Sequence, residues 1–357
     1  MKADWLPLSE AAATTRPYTS ARSLLKGEGW VFLDANECPF TCPLDDLAIA
    51  GLNRYPDPTA DHLRRNLARH YLVSSESVLV THGSDELIDL CVRTFVRRGR
   101  SVLAPAPTYG MYAVAASSHG LAYRSVPLNP QLNLNMGALA REFEGADLLF
   151  LCTPNNPTGT TLSCEDVAGI TRAFQGVVVV DEAYGEFADE EGIRSAIELV
   201  REESRNLIVM RTFSKAFAAA GLRLGYALAS PRLISSLVKM KPPYNVSAPA
   251  QAIGLKLWRR RQQMVSNVRR LIAERHRVAQ RCEELGCGVH SSAANFFLTQ
   301  LPCGYSAGRI YARLRDEFQI VVRHFDGISR LQDMLRISIG TPEENDRLLS
   351  ALQRLLS

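Results

Sequence analysis

From about residue 77 to residue 230, short uninterrupted apolar runs alternate with longer stretches that mix apolar and polar residues at helical spacing. The runs fall at 77–80, 102–104, 148–151, 177–180 and 207–210. Apolar runs without polar alternation fit parallel strands buried on both faces. Helices are expected at 85–96 and near 109–118, and Pro105 is expected to end the second strand. Strands and helices in alternation predict an α/β sheet covered on both sides.

The pattern changes after Pro242-Pro243. Residues 248–285 read as a long charged helical segment. Strand-like pieces follow at 295–298, 320–323 and 334–339, and a last helix starts near Pro342. Few short strands flanked by helices predict a smaller α+β domain. The expected division is an N-terminal arm (1–30), a large domain (31–247) and a small C-terminal domain (248–357), which suits a chain of 357 residues.

Composition narrows the class. Apolar residues make up 46% and charged residues 22%, as in an ordinary globular enzyme. The 41 basic and 37 acidic residues leave a net charge of +4, too small and scattered to argue for nucleic acid. The eight cysteines show no C-x-x-C spacing, and several sit in apolar runs, so reduced thiols are expected rather than disulfides or a metal site. No segment approaches the roughly 18 to 20 apolar residues of a membrane span, and the N-terminus carries no signal core. A soluble, cytoplasmic protein with no membrane or nucleic-acid partner is expected.

Ligands of open α/β sheets bind at the carboxyl ends of the strands, so the polar residues after each run carry the chemistry. After the run at 207–210 come Thr212-Phe213-Ser214-Lys215, with Arg223 eight residues beyond the lysine. Lys215 can form an imine with an aldehyde, while Thr212, Ser214 and Arg223 can hold a phosphate. After the first strand, Gly83-Ser84-Asp85 opens a helix whose N-terminus and Ser84 hydroxyl can receive a phosphate. Tyr109 follows the second strand, either stacked on a flat heterocycle or packed at a helix start. Thr153 to Gly159 is a loop stiffened by two prolines, in which Asn156 can donate to a phenolate or cap a turn. Asp181 ends an apolar run, where a carboxylate is costly without a cation. A protonated pyridine nitrogen about 4 Å away would contribute roughly 4 kcal/mol, and an arginine ion pair is the alternative. Pyridoxal 5'-phosphate (PLP) carries the aldehyde, phenolate, pyridine and phosphate that this set matches.

With Leu33-Asp34-Ala35-Asn36-Glu37, Arg54-Tyr55-Pro56-Asp57, Asp181-Glu182-Ala183-Tyr184 and Leu335-Arg336-Ile337-Ser338, nearly the whole chain resembles the fold-type I PLP-dependent aminotransferases, and more closely the histidinol-phosphate aminotransferase family. The resemblance implies a mixed, mostly parallel seven-stranded sheet and a homodimer. It makes Lys215 the cofactor-linked lysine and proton carrier, and Asp181 the partner of the pyridinium. Asn156 and Tyr184 would meet the ring oxygen, and Tyr109 the ring face. Ser84, Asp85, Thr212, Ser214 and Arg223 would line the phosphate, with Tyr55 reaching it from the neighbouring subunit. For substrate it implies Arg336 on the α-carboxylate, Tyr18 and Arg323 on a substrate phosphate, and Asn36 and Asn295 nearby. Cys38 departs from the family, which usually has asparagine there.

The implied reaction exchanges an amino group between histidinol phosphate and 2-oxoglutarate, giving imidazole-acetol phosphate and glutamate in histidine biosynthesis. Aromatic or other amino-acid aminotransferases and threonine-phosphate decarboxylase share much of this motif set and remain open. A PLP-binding regulator without turnover is disfavoured, since only about 30 residues precede Leu33, too few for a DNA-binding domain.

Overall fold

The computed structural model describes residues 28–40, 51–201 and 204–357. Its strands are β1 (Val31–Phe32), β2 (Val78–Thr81), β3 (Ser101–Ala106), β4 (Ala122–Pro127), β5 (Ala146–Cys152), β6 (Val177–Asp181), β7 (Leu207–Thr212), β8 (Gly225–Ala229), β9 (Gly288–Val289), β10 (Phe296–Gln300), β11 (Ile320–Val321), β12 (Arg323–His324) and β13 (Met334–Ser338). Strands β2 to β8 make one seven-stranded sheet in the order β2-β8-β7-β6-β5-β3-β4. Its pairings are parallel from β4 through β7, and β8 runs antiparallel to both β7 and β2.

Both faces of this sheet are covered, which is why its runs are apolar without alternation. Leu149, Leu151, Val178, Val180, Leu207 and Val209 share one core with the helices Asp61–Tyr71, Cys164–Ala173 and Ala248–Arg259. Leu148, Phe150, Val179, Ile208 and Met210 pack on the other face against the helices Gly83–Phe95, Met111–Ser118 and Pro231–Met240.

Several elements depart from the sequence pattern. β3 runs through Pro105 to Ala106 along β4, although its pairing with β5 ends at Leu103; a proline is tolerated where one ladder has stopped. β4 lies at the sheet edge with few buried residues, so it makes no apolar run. The segment 248–285 is two helices, Ala248–Arg259 and Arg261–Glu284, parted at Arg260. The expected strand 320–323 divides at Val322. Before it, β11 pairs with β1; after it, β12 pairs with β13 in the four-stranded sheet β12-β13-β10-β9. Val31 and Leu33 thereby join the C-terminal core of Val268, Leu271, Phe297, Leu314, Ile337 and Leu348, whereas Trp258 belongs to the core of the large sheet. Among the described residues no helix is long and apolar enough to cross a membrane, and the seven described cysteines are free.

Candidate active site

Lys215 follows the carboxyl end of β7 on a turn fixed from both sides. The Ser214 N–H donates to Thr212 Oγ1 (3.1 Å), and the Thr212 hydroxyl donates to Ser214 Oγ (3.0 Å). Phe213 and Phe217 are buried against each other (centroids 4.5 Å apart) and against Trp258. With those rings anchored, half-buried Lys215 reaches the segment 34–36, where its Nζ donates to the Ala35 carbonyl at 2.9 Å. Burial, and then the Arg336 charge, lower its pKa to about 8.

A cluster of groups suited to a phosphate lies beside it. Gly83 opens the helix Gly83–Phe95 at φ +77°, and a methyl group there would stand 2.8 Å from Arg223 Nη2. Gly225 on β8 is equally constrained, since a Cβ would come within 2.8 Å of the Ser84 nitrogen. The half-buried Ser84 is thus held at the first turn of the helix, close to Arg223. Arg223 donates to Ser214 Oγ (3.4 Å) and pairs with Asp85 (3.0 Å), whose other oxygen accepts from the Tyr109 hydroxyl (3.0 Å). Helix N–H groups, two hydroxyls and a guanidinium within one cluster fit a phosphate monoester.

Asp181 is buried at the end of β6. The Tyr112 hydroxyl donates to its Oδ2 (2.6 Å) and the Ala183 N–H to its Oδ1 (3.1 Å). Burial raises its pKa to about 6, with the Tyr112 bond the main opposing cause. The arginine ion pair held open for Asp181 occurs instead at the next residue. Glu182 pairs with buried Arg211 (2.7 Å), which also reaches Asp189 (2.7 Å). Among the described residues Asp181 forms no ion pair, so its geometry suits a cation brought by a ligand.

Tyr109 is half-buried, edge-on to Tyr112 (5.7 Å, 87°). Asn155 ties the loop below it to the Asn156 loop, accepting from Thr108 Oγ1 (2.7 Å) and donating to the Pro107 carbonyl (3.0 Å). Asn156 accepts from Arg336 Nη1 (2.6 Å), so its amide N–H groups are the ones to offer a ligand. Tyr184 is buried and accepts from Asn36 Nδ2 (2.8 Å).

Three successive carbonyls of the segment 34–36 receive hydrogen bonds from expected site residues. Arg336 donates to Asp34, Lys215 to Ala35 and the wholly buried Asn295 to Asn36 (3.0 Å). Asn36 itself is left-handed (φ 53°), held by Ser338 through its N–H and its side chain. Arg323 is exposed on β12, directly opposite Arg336 in the antiparallel register with β13. Tyr55 is 81% exposed and stacks on Tyr244 (4.6 Å). Tyr18 lies outside the described residues. Cys38 lines a cleft of about 330 Å3 shared with Glu37, Ser214 and Gly340. Sequence reasoning missed Tyr112, Arg211 and Asn155; among these only Arg211, a lone charge in an apolar strand, carried a signal.

The family described as aminotransferase class I and II matches residues 30–352. The chain belongs to it. A histidinol-phosphate aminotransferase of Parabacteroides distasonis is 38% identical over 346 residues, covering 95% of both chains. One from Caldanaerobacter subterraneus is 36% identical, covering 91% of this chain and 93% of the relative. The crystal structure of histidinol-phosphate aminotransferase from Sinorhizobium meliloti in complex with pyridoxal-5'-phosphate superposes with a TM-score of 0.84 at 27% identity, over 91% and 90% of the two chains. The aminotransferase fold and class expected from the sequence are those of this protein, and PLP is the cofactor of its family.

Proposed function

We propose that this aminotransferase exchanges an amino group between histidinol phosphate and 2-oxoglutarate, using PLP joined to Lys215. The cleft residues fit that cofactor group by group. The cup of Ser84, Thr212, Ser214 and Arg223 takes the phosphate, Asp181 the ring nitrogen, Asn156 and Tyr184 the ring oxygen, and Tyr109 one ring face. PLP supplies the electron sink that acidifies the substrate's α carbon. The chain supplies orientation and proton transfer. Lys215 Nζ would carry the proton from that carbon to the carbon of the cofactor's former aldehyde, the 1,3-shift that amino-group transfer requires, a task suited to an amine whose pKa is lowered to about 8.

The observation that carries the substrate reading is the cross-strand pairing of Arg323 with Arg336. Residues directly opposite on antiparallel strands lie on one face, and like charges there repel. Histidinol phosphate carries its phosphate where an amino acid carries its α-carboxylate, so Arg336, Arg323 and Tyr18 on that one dianion would turn the repulsion into recognition, while Arg336 would also serve the α-carboxylate of glutamate. The relatives named above support the same substrate. The exposed Tyr55–Tyr244 pair supports a homodimer in which Tyr55 serves the neighbouring cup; sedimentation of the chain as a monomer would remove that part. To test the activity, purified protein is incubated with histidinol phosphate and 2-oxoglutarate. Glutamate should form with the parent chain and not with Lys215→Ala, and no glutamate from the PLP-loaded parent chain would refute the reading.

A further inference from the structure

We infer that Tyr112 is a positioning residue that keeps the Asp181 carboxylate ionised and aimed at the ring nitrogen of the bound cofactor. The inference rests on the proposed meeting of Asp181 with that nitrogen.

Tyr112 lies on the helix Met111–Ser118, one turn beyond Tyr109, and is wholly buried. Its ring lies flat on Phe150 of β5 (4.5 Å, 3°) and meets the edge of Tyr109 (5.7 Å, 87°). With the ring clamped between them, its hydroxyl is delivered to Asp181 Oδ2 at 2.6 Å. Cys152 stands opposite Asp181 in the β5–β6 register, and its thiol donates to the Pro154 carbonyl (3.4 Å). Tyr112 is thus the side-chain donor to the carboxylate, beside the Ala183 N–H.

The direction of the effect follows from the surroundings. Desolvation disfavours the ionised carboxylate, and the charges of Asp85 and Glu182 add to that. The Tyr112 phenol is pushed far above its ordinary range, first by burial and then by Asp181, so it stays protonated and donates throughout. A carboxylate with one hydrogen bond on each oxygen keeps lone pairs for a third partner. Tyr112 therefore preserves the negative charge without blocking the cation that Asp181 awaits. A merely structural tyrosine would fill the space against Phe150 and leave the charge state of Asp181 unaffected.

Tyr112→Phe retains the ring and removes the hydroxyl. Three readouts decide the matter. In protein without PLP, 13C NMR of labelled aspartate follows the titration of Asp181, assigned with Asp181→Asn. In protein loaded with PLP labelled at the ring nitrogen, the 15N shift reports protonation of that nitrogen. Steady-state kinetics separates kcat from KM. Tyr112→Phe should bind the Asp181 proton about tenfold more tightly. The 15N signal should move toward the unprotonated value, and kcat should fall more than KM rises. An unchanged Asp181 titration or an unchanged 15N shift overturns the inference, whatever happens to activity. If Asp181→Asn leaves the 15N signal unmoved, the parent reading of Asp181 fails; if only Tyr112→Phe leaves it unmoved, Tyr112 alone loses its role. Should Tyr112→Phe not fold, Phe150→Leu, which loosens the stack and spares the hydroxyl, should shift the Asp181 titration the same way, and no shift there also overturns it.

Discussion

Asp181 and Lys215 are both displaced by burial, in directions that suit a ligand with a cationic nitrogen and an aldehyde. For Asp181, raised from 3.8 to about 6, the ionised form is penalised. The cofactor-free fold therefore loses stability as pH rises through that window, and a pyridinium would restore it. Lys215, lowered from 10.5 to about 8, is penalised when charged, so its cost is full below about pH 8 and fades towards 10.5. At pH 7 about one Lys215 in ten carries the reactive neutral amine, against about one in three thousand for an ordinary lysine. The rate of PLP capture, followed by visible absorbance, should climb with pH and level off near 8. A rate still climbing beyond pH 10 would contradict the lowered amine. These two candidates were legible because a carboxylate closing an apolar run is costly without a cation, and because Lys215 follows Thr212 and Ser214 with Arg223 eight residues beyond. Tyr112 was not, because a tyrosine on an apolar helix has bland alternatives and its partner is 69 residues away.

At the scale of elements, what the sequence concealed was mostly pairing. The apolar runs showed five of the large-sheet strands. β8 was obscured because its small residues follow directly on the Lys215–Arg223 loop, and β4 because an edge strand needs only one buried side. The division at Val322 was also hidden, yet it brings Arg323 opposite Arg336 rather than leaving it on β11. That register makes a prediction about substrate choice. Arg323→Ala should raise KM for histidinol phosphate by about ten- to a hundredfold, the value of a charge-assisted hydrogen bond, and leave KM for phenylalanine nearly unchanged. Arg336→Ala should impair both. Equal loss for both substrates in Arg323→Ala would mean that the residue supports β12 and does not read a phosphate.

For the whole molecule, the segment 34–36 links its two halves at the site. Leu33 is anchored in the C-terminal core, while the next carbonyls accept from Lys215 of the large sheet and from Arg336 and Asn295 of the small one. Side chains that follow β7, precede β10 and lie on β13 thereby meet over one short stretch of backbone. The α/β class was readable, and a candidate cofactor set could be named, because strand ends follow apolar runs in chain order. The convergence on residues 34–36 was not, since backbone carbonyls leave no mark in side-chain types. Selection of a phosphorylated substrate by a PLP aminotransferase is read out by a single-turnover absorbance scan of the PLP-loaded protein. Histidinol phosphate, phenylalanine and threonine phosphate are added separately. Histidinol phosphate should cause rapid loss of the visible band to the pyridoxamine form, and phenylalanine a far slower change. Conversion by phenylalanine alone, or release of CO2 from threonine phosphate without conversion by histidinol phosphate, would contradict this reading.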